Sequence, residues 1–211
     1  MRYYIESDGR IFVVQRKTGF DLPTRDEVPF EITEQGQLPT SEPTVFCLPH
    51  LACHPREWPE KDVLAGIAGG VTPLVREAIH AGMPRVVVEG IAVEDGKLLL
   101  VKGSRGLTEG RWTLPGGFLR FGEDPREGLL RELREELRVE GRIDGLLDLR
   151  GRLGATSRLH WVMAFYRVSL FGELRPDPDE IAEASYIPLA EARRMVADSL
   201  MGGVIASLTL E

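Results

Sequence analysis

The 211-residue sequence predicts an α+β fold or an α/β/α sandwich with a mixed sheet. Two observations carry this prediction: runs of β-forming residues bounded by turn residues recur along the chain, and helical patterns with capping signals lie between them. Hydrophobic residues make up 43% of the chain, which is enough for a packed core. The length suits one large domain or two small ones.

Residues 1 to 84 are predicted to form a small N-terminal α+β unit that is rich in β-structure. Tyr3 to Ile5 and Arg10 to Gln15 flank a Ser-Asp-Gly turn, which is a hairpin pattern. Prolines and glycines interrupt residues 18 to 43, so we expect a loop there, with a short strand at most.

A capped helix closes this N-terminal unit. Thr72 can cap it, Pro73 suits the first helical position, and Gly82 followed by Pro84 ends it. The pattern places a domain boundary near Met83. We expect the unit to bury too little apolar surface by itself, and therefore to complete a homodimer or to form a wall of a substrate pocket.

Residues 85 to 211 are predicted to hold the chemistry. Two apolar strands flank a turn at residues 94 to 97 and form a hairpin. Residues 146 to 152 and 158 to 170 are predicted as long strands of the same sheet, and a terminal helix is predicted from Leu189 to about Leu200.

The centre of this second part is a helix with a strong start signal. Asp124 can cap it, Pro125 suits the first helical position, and Glu127 would complete a capping box. Leucines recur behind this start at three- and four-residue spacing, which predicts one stripe that faces a core. They are Leu129, Leu130, Leu133 and Leu137.

Glutamates crowd the neighbouring face of this helix. Glu132, Glu135 and Glu136 fall together, and the like charges of Glu132 and Glu136 destabilise an isolated helix by about 0.2–0.5 kcal/mol. A solvated helix with Glu/Arg ion pairs would have a similar composition, but a divalent cation would reverse the repulsion. Because glycines that let a backbone approach phosphate precede the helix, at Gly116 and Gly117, we interpret this face as a metal site.

The stretch from Gly117 to Val139 resembles the Nudix box, G-x5-E-x7-R-E-U-x-E-E-x-G-U, in which U is aliphatic. The matching positions are Gly117, Glu123, Arg131, Glu132, Leu133, Glu135, Glu136 and Val139. Arg138 stands where the family has a glycine that ends the helix, a task that Gly141 could take over. The resemblance extends from about residue 85 to 200 and implies a Nudix-type α/β/α sandwich.

This resemblance also implies site residues and a cofactor. Mg²⁺, or alternatively Mn²⁺, would bind Glu132, Glu135 and Glu136, while Glu123 would support or add to the metal site. Arg131 would orient a glutamate through a salt bridge. Glu180, outside the box, is a further candidate ligand or general base, and a box glutamate is the alternative base. The candidate substrate-binding residues are Gly116, Gly117 and Arg120, with Arg105 and Arg111 also flanking the glycine turn.

The implied reaction is the hydrolysis of a phosphoanhydride in a nucleoside diphosphate linked to another moiety. The substrate stays open among ADP-ribose, nucleotide sugars, dinucleotides and nucleoside triphosphates, because residues 153 to 157 read LGATS and lack a subfamily proline. The alternative from another class is a catalytically silent Nudix-fold nucleotide sensor or interaction module. Retention of all the box glutamates favours the enzyme.

The amino-acid composition of the chain limits the classes of partner that we expect. The net charge of −7 argues against a broad nucleic-acid surface, which needs a basic face. No long apolar run and no signal-peptide pattern stand in the sequence, so we expect a cytoplasmic protein without a membrane partner.

The sequence also contains a second cluster of potential metal ligands. Cys47, His50, Cys53 and His54 could in principle bind zinc, but no second ligand pair exists elsewhere, so neither zinc nor a disulfide is expected. His160 in a strand is expected to be a core or edge histidine, and Trp112 before the glycine turn is expected to be a packing residue.

Overall fold

The computed structural model describes residues 1–66, 69–154, 157–196 and 198–208. Contacts divide the chain into two compact units. The first holds residues 1–84 together with 152–161, and the second holds residues 85–151 together with 162–211. The grouping of residues 152–161 with the N-terminal unit gives no signal in the sequence.

The first unit is built on a mixed four-stranded sheet. Its elements are β1 (Arg2–Ser7), β2 (Arg10–Phe12), β3 (Val14–Arg16), β4 (Gly19–Asp21), β5 (Ile32–Leu38), β6 (Thr44–Pro49), α1 (Lys61–Gly66) and α2 (Pro73–Gly82), with a short 3-10 turn at Arg25–Glu27. The strand order is β2-β1-β6-β5, in which β1 runs antiparallel to β2 and parallel to β6. Strands β3 and β4 pair separately.

The N-terminal hairpin and helix α2 confirm the sequence predictions, except that the Thr72 side chain donates to Asp21 and makes no capping hydrogen bond. The prediction of a loop with only a short strand between residues 18 and 43 is wrong, because β5 spans seven residues and pairs with β6. Its glutamate and glutamine side chains weaken the apolar alternation from which strands are recognised.

This unit also has a core of its own. Tyr4, Ile11 and Leu22 are fully buried together with Val75 and Ile79 of α2. A smaller apolar cluster forms around Ile5, Val28, Val45 and Cys47. The expectation that residues 1 to 84 bury too little apolar surface is therefore wrong, since pairing across the sheet buries side chains that are scattered along the sequence.

From residue 85 onward the chain forms two further four-stranded sheets and three helices in the described ranges. The elements are β7 (Arg85–Ile91), β8 (Val93–Glu94), β9 (Lys97–Gly103), β10 (Trp112–Thr113), β11 (Gly116–Phe118), α3 (Pro125–Leu137), β12 (Glu140–Leu153), β13 (His160–Phe171), β14 (Ile181–Pro188), α4 (Leu189–Met195) and α5 (Ser199–Ala206), with a 3-10 turn at Gly106–Thr108. One sheet has the order β11-β7-β13-β12, and the other has β10-β9-β14 with β8 beside β9.

The predicted hairpin forms across residues 94–97, where β8 pairs with β9 and the N–H of Leu99 donates to the carbonyl of Ala92. Its first strand is shorter than predicted, because β7 pairs with β11 in the other sheet. The turn residues determine only the strand pairing next to the turn, so the partner of β7 depends on tertiary packing.

Helix α3 presents its leucine stripe to the core, as predicted. Leu129, Leu133 and Leu137 are fully buried and pack in one cluster with Val88 of β7 and Val101 of β9. The thirteen-residue helix thus packs against strands that precede and follow the glycine turn. This packing fixes which helix face is left for the glutamates.

The C-terminus of α3 departs from the prediction that Gly141 ends the helix. The helix stops at Leu137, and Arg138 itself takes the left-handed conformation with φ 58°. Gly141 lies in β12 instead, where a Cβ atom would stand 3.0 Å from Leu133 and 3.1 Å from Leu130. Its small size serves packing against the helix rather than capping.

The single terminal helix predicted from Leu189 to about Leu200 is also wrong. Helix α4 ends at Met195, and α5 begins at Ser199 with Asp198 as its N-cap. The Asp198 carboxylate accepts hydrogen bonds from the N–H groups of Leu200 and Met201. No helix in the described ranges combines the length and the apolar character needed to span a membrane.

Candidate functional site

The candidate site is built on α3 and on the loop before it. The Asp124 side chain accepts a hydrogen bond from the N–H of Arg126 at 2.9 Å, so the predicted N-cap is confirmed. The capping box with Glu127 does not form. The helix start is thereby fixed next to Gly116 and Gly117, which belong to β11.

Arg131 links the carboxylates of this helix and loop. Its Nε and Nη2 atoms donate to the two carboxylate oxygens of Glu123 at 2.7 and 2.9 Å. Its Nη1 atom donates to Glu132 at 2.7 Å and to Glu135 at 2.9 Å. The side chain is only 14% exposed, and hydrogen bonds to Glu123 and to its other glutamate partners raise the pKa of Arg131. Arg131 therefore remains a cation that holds three carboxylates in place.

Glu123 is oriented toward Arg131 and the loop backbone. Besides Arg131, it accepts a hydrogen bond from the N–H of Arg120 at 2.9 Å. These hydrogen bonds, with Arg131 the stronger influence, lower the pKa of Glu123 to about 2. The Glu123 carboxylate thus joins the backbone of the loop to Arg131.

Glu136 is the most deeply buried of the helix glutamates. It is 8% exposed, and its Oε2 atom accepts a hydrogen bond from the N–H of Gly116 at 3.0 Å. Burial raises the pKa of Glu136 to about 8, and the negative charges of Glu132, Glu180 and Glu135 add to the rise. The glycine turn and the helix are thus joined at this carboxylate.

Glu132 lies against the second glycine of the turn. Burial raises the pKa of Glu132, while its ion pair with Arg131 opposes that rise. A Cβ atom on Gly117 would stand 2.7 Å from the Glu132 carboxylate. Glycine is needed here because the carboxylate occupies the space of a side chain.

Glu135 lies at the exposed side of the site. Its Oε1 atom accepts a hydrogen bond from Arg120 at 2.8 Å, and its Oε2 atom accepts one from Arg131. Arg120 is 62% exposed at the side chain, so it can exchange this partner for a phosphate group.

Glu180 approaches the site from the turn before β14. Its charge raises the pKa of both Glu132 and Glu136, which places it near the helix glutamates. Its side chain accepts a hydrogen bond from Arg105, one of the arginines that flank the glycine turn in the sequence. The structure therefore brings Glu180 together with the box residues across about 45 residues of sequence.

Glu89 on β7 is a site residue that the sequence reasoning missed. It is 6% exposed, and its Oε2 atom is buried without a hydrogen-bond partner among the described residues. Burial raises the pKa of Glu89, and the charges of Glu136, Asp198 and Glu132 raise it further. Its only signal in the sequence is a charged residue inside the apolar run VVVEGIAV.

The residues fit a divalent cation by their chemistry. In the ranges that the structure describes, no three Asp, Glu, His or Cys side chains are grouped so that they could hold a metal ion. Arginines hold oxygens of Glu132 and Glu135. Glu132, Glu135 and Glu136 nevertheless supply the oxygen donors that Mg²⁺ and Mn²⁺ prefer. A bound cation would offset the repulsion among these carboxylates, which adds to the rise in the pKa of Glu136, and would give the Glu89 oxygen a partner.

The remaining singled-out residues lie elsewhere or have other partners. Arg111 is exposed, Trp112 is half-buried with the Lys102 ammonium 6.0 Å from its ring centre, and His160 is exposed at the start of β13. Within the cysteine–histidine segment, Cys47 is buried and Cys53 exposed. The rings there bind other groups: His50 contacts Thr33 at 2.6 Å and His54 contacts Asp8 at 3.2 Å.

Comparisons with known proteins agree with this geometry. A family model described as "NUDIX domain" matches residues 83–207. An ADP-ribose pyrophosphatase of Methanocaldococcus jannaschii is 29% identical over 115 residues, which make up 54% of this chain and 68% of that protein. A MutT-like protein of Streptomyces ambofaciens is 42% identical over 62 residues, which are 29% of this chain and only 38% of that protein.

Solved structures show the same fold. The crystal structure of a MutT NUDIX hydrolase from Burkholderia pseudomallei is 27% identical, with a TM-score of 0.53. The similarity covers 60% of this chain and 99% of that chain. The shared region thus makes up almost the whole of that protein and only part of this chain.

Proposed function

The chain belongs to the Nudix family, and from that premise we propose that it hydrolyses the phosphoanhydride of a nucleoside diphosphate linked to another moiety. The observation that carries the proposal is the convergence of Glu132, Glu135, Glu136 and Glu180 beside the glycine turn. The products would be a nucleoside monophosphate and a phosphorylated second product.

Glu132, Glu135 and Glu136 would hold Mg²⁺ or Mn²⁺ in this mechanism. When bound, the cation supplies charge neutralisation at the diphosphate and activation of the attacking water. Arg131 keeps Glu132 and Glu135 oriented, because it is itself clamped by Glu123. The N–H of Gly116 fixes the oxygen of Glu136 that it contacts.

Two carboxylates are candidates for the general base. Glu180 is 38% exposed at the side chain and can reach solvent, whereas Glu136 is buried and has its pKa raised to about 8 without a cation. A base works best when its pKa lies near the working pH and when it reaches the attacking water. We assign the role to Glu180 first and keep a box glutamate as the alternative.

The substrate would be bound by the glycine turn and by the arginines beside it. Gly116 and Gly117 allow the backbone to approach a phosphate closely, and Arg120 and Arg105 carry donors that match phosphate oxygens. Both arginines already bind carboxylates of the site, so a diphosphate would compete with Glu135 and Glu180 for them.

ADP-ribose is the first substrate to test, since one relative is named for that activity. The experiment measures release of the nucleoside monophosphate and of the second phosphorylated product from ADP-ribose, nucleotide sugars, dinucleotides and nucleoside triphosphates, each with Mg²⁺ and with Mn²⁺. Turnover of one class supports the proposal. Tight nucleotide binding without turnover of any of them would favour the sensor or interaction module instead.

We also propose that the protein acts as a homodimer. What supports a second copy is β12, an edge strand on which Leu146, Leu147 and Leu149 are 53%, 37% and 59% exposed. Exposed apolar edge strands pair readily with other chains, and two-fold dimers are the commonest assemblies. Residues 1–84 would take part in this dimer or in a pocket wall, as expected from the sequence.

A further inference from the structure

We propose that Glu89 is a further carboxylate of the cation site, which holds the cation from β7 either directly or through a coordinated water. The inference rests on the proposed function, because it requires that the site binds a divalent cation. It adds a ligand group that lies outside the box and comes from a strand rather than from α3.

The register of two strands places Glu89 at the site. Glu89 is the Cα partner of Gly116 in the antiparallel pair of β7 and β11. The N–H of that same Gly116 donates to Oε2 of Glu136. The β-pairing and this hydrogen bond therefore place the strand carboxylate and the helix carboxylate beside the same backbone position.

The environment of Glu89 lacks a partner for its charge. Its Oε2 atom is buried and accepts no hydrogen bond from any residue in the described ranges. The charged groups that act on it are Glu136, then Asp198 and Glu132, and all three are acidic. Native proteins leave few buried polar atoms unpaired, and those that remain call for an explanation.

A divalent cation among these carboxylates would supply that partner. Hard cations take several oxygen ligands and retain waters, so a site with α3 on one side can accept a donor from the strand on the other. An unpaired Glu in an otherwise apolar strand would have no such reason to persist, since an apolar side chain would be accommodated there at lower cost. The position of Glu89 thus follows from cation binding and not from the stability of the empty site.

The test measures cation binding directly. Mn²⁺ is titrated into full-length protein while the electron paramagnetic resonance signal of free Mn²⁺ is recorded, for the native protein, Glu89→Gln and Glu89→Asp. We expect Glu89→Gln to weaken Mn²⁺ binding by about tenfold to a hundredfold. Glu89→Asp keeps the charge and should recover part of the loss. The matched control is Glu183→Gln, an exposed carboxylate on β14 to which no role is assigned.

Thermal unfolding in the presence of a chelator distinguishes the two possible roles of Glu89, as a cation ligand or as a residue that only stabilises the fold. Glu89→Gln should unfold at the native temperature or higher, because the amide replaces a buried carboxyl group whose ionised form is disfavoured by burial and by its acidic neighbours. Unchanged Mn²⁺ affinity in Glu89→Gln would overturn the inference while Glu136→Gln still loses Mn²⁺. If the native protein itself binds no Mn²⁺, the proposed function fails and the inference falls with it. A variant that unfolds at much lower temperature and still binds Mn²⁺ when folded shows that Glu89 serves the fold alone.

Discussion

Arg131 donates hydrogen bonds to both carboxylate oxygens of Glu123, at 2.7 Å from Nε and at 2.9 Å from Nη2. This two-point contact fixes the plane of the guanidinium group, and the remaining Nη1 atom then faces Glu132 and Glu135. The loop before α3 thereby sets the orientation of two proposed metal ligands on the helix. Arg131 thus acts through those glutamates and needs no contact with substrate.

We predict that Arg131→Lys lowers turnover and Mn²⁺ affinity by about tenfold to a hundredfold, the effect typical of groups that orient metal ligands. Lysine keeps the charge but has no planar fork with which to hold three carboxylates. Turnover and Mn²⁺ titration check this prediction. Arg134→Lys, on the exposed side of the same helix, is the control and should match the native protein. Native Mn²⁺ affinity in Arg131→Lys would remove the orienting role.

Glu135→Gln and Glu136→Gln should each abolish measurable turnover, a loss of at least about a hundredfold, because each removes a proposed ligand. Stability should hold or rise, since a like charge is removed from the cluster. Steady-state rates with the substrate found by screening, together with thermal unfolding, provide the measurement. Glu127→Gln is exposed on the same helix and should leave the rate unchanged. Near-native rates in both site variants would refute the metal assignment.

The stability of the metal-free protein should fall as the pH rises from about 4.5 to about 8. Unfolded Glu136 loses its proton near its ordinary pKa of 4.5, whereas the folded pKa is raised to about 8. Between these values the folded state holds one more proton than the unfolded chain, so unfolding becomes easier with rising pH. The stabilising proton is fully bound below pH 4.5 and is lost through the folded pKa.

Unfolding temperatures across this pH range, recorded with a chelator, measure the effect. Glu136→Gln should flatten the curve, and Mg²⁺ should stabilise the native protein most at the alkaline end, where the carboxylate is free to bind it. A native curve that rises across the same range would contradict the raised pKa.

The two glycines of the turn should respond differently to substitution by alanine. Gly117→Ala would place a Cβ atom 2.7 Å from the mobile end of Glu132, so it should displace that carboxylate, lower turnover about tenfold and change stability little. Gly116→Ala would place a Cβ atom 2.0 Å from the backbone oxygen of Val88 at φ +146°, and should destabilise the fold by about 1–3 kcal/mol.

Thermal unfolding and turnover measured side by side separate these two effects. Gly145→Ala, which meets no atom within 4 Å, is the control for both quantities. A Gly117→Ala protein with native turnover would show that the carboxylate of Glu132 can move without consequence.

The proposed homodimer is tested on the intact chain, because residues 152–161 group with the N-terminal unit and a cut at residue 85 would leave them without it. Leu149→Lys introduces a charge into the exposed edge strand and should convert a dimer into a monomer in light scattering. Val93→Lys, at an exposed residue of β8 outside residues 1–84, should leave the mass unchanged. A native protein that is already monomeric at high concentration would end the dimer proposal.

Sequence reasoning succeeded where the signal is local. Helix α2 and the start of α3 are marked by a capping residue followed by proline, and the leucine stripe of α3 follows from helical spacing alone. The box glutamates and Arg131 lie within one helix, so their common face is determined by the same periodicity. These features could therefore be predicted from the amino-acid sequence alone.

Tertiary structure decided what depends on distant residues. Only the tertiary structure shows that β7 pairs with β11 and not with β9. This pairing brings Glu89 beside Gly116 and Glu136. Arg138 can take a left-handed conformation because its N–H donates to Arg134 and the loop at residues 175–177 binds the last helix carbonyls. Sequence periodicity fixes the face of an element, but the partner of that face is chosen by the free energy of packing the whole chain, which no local pattern contains.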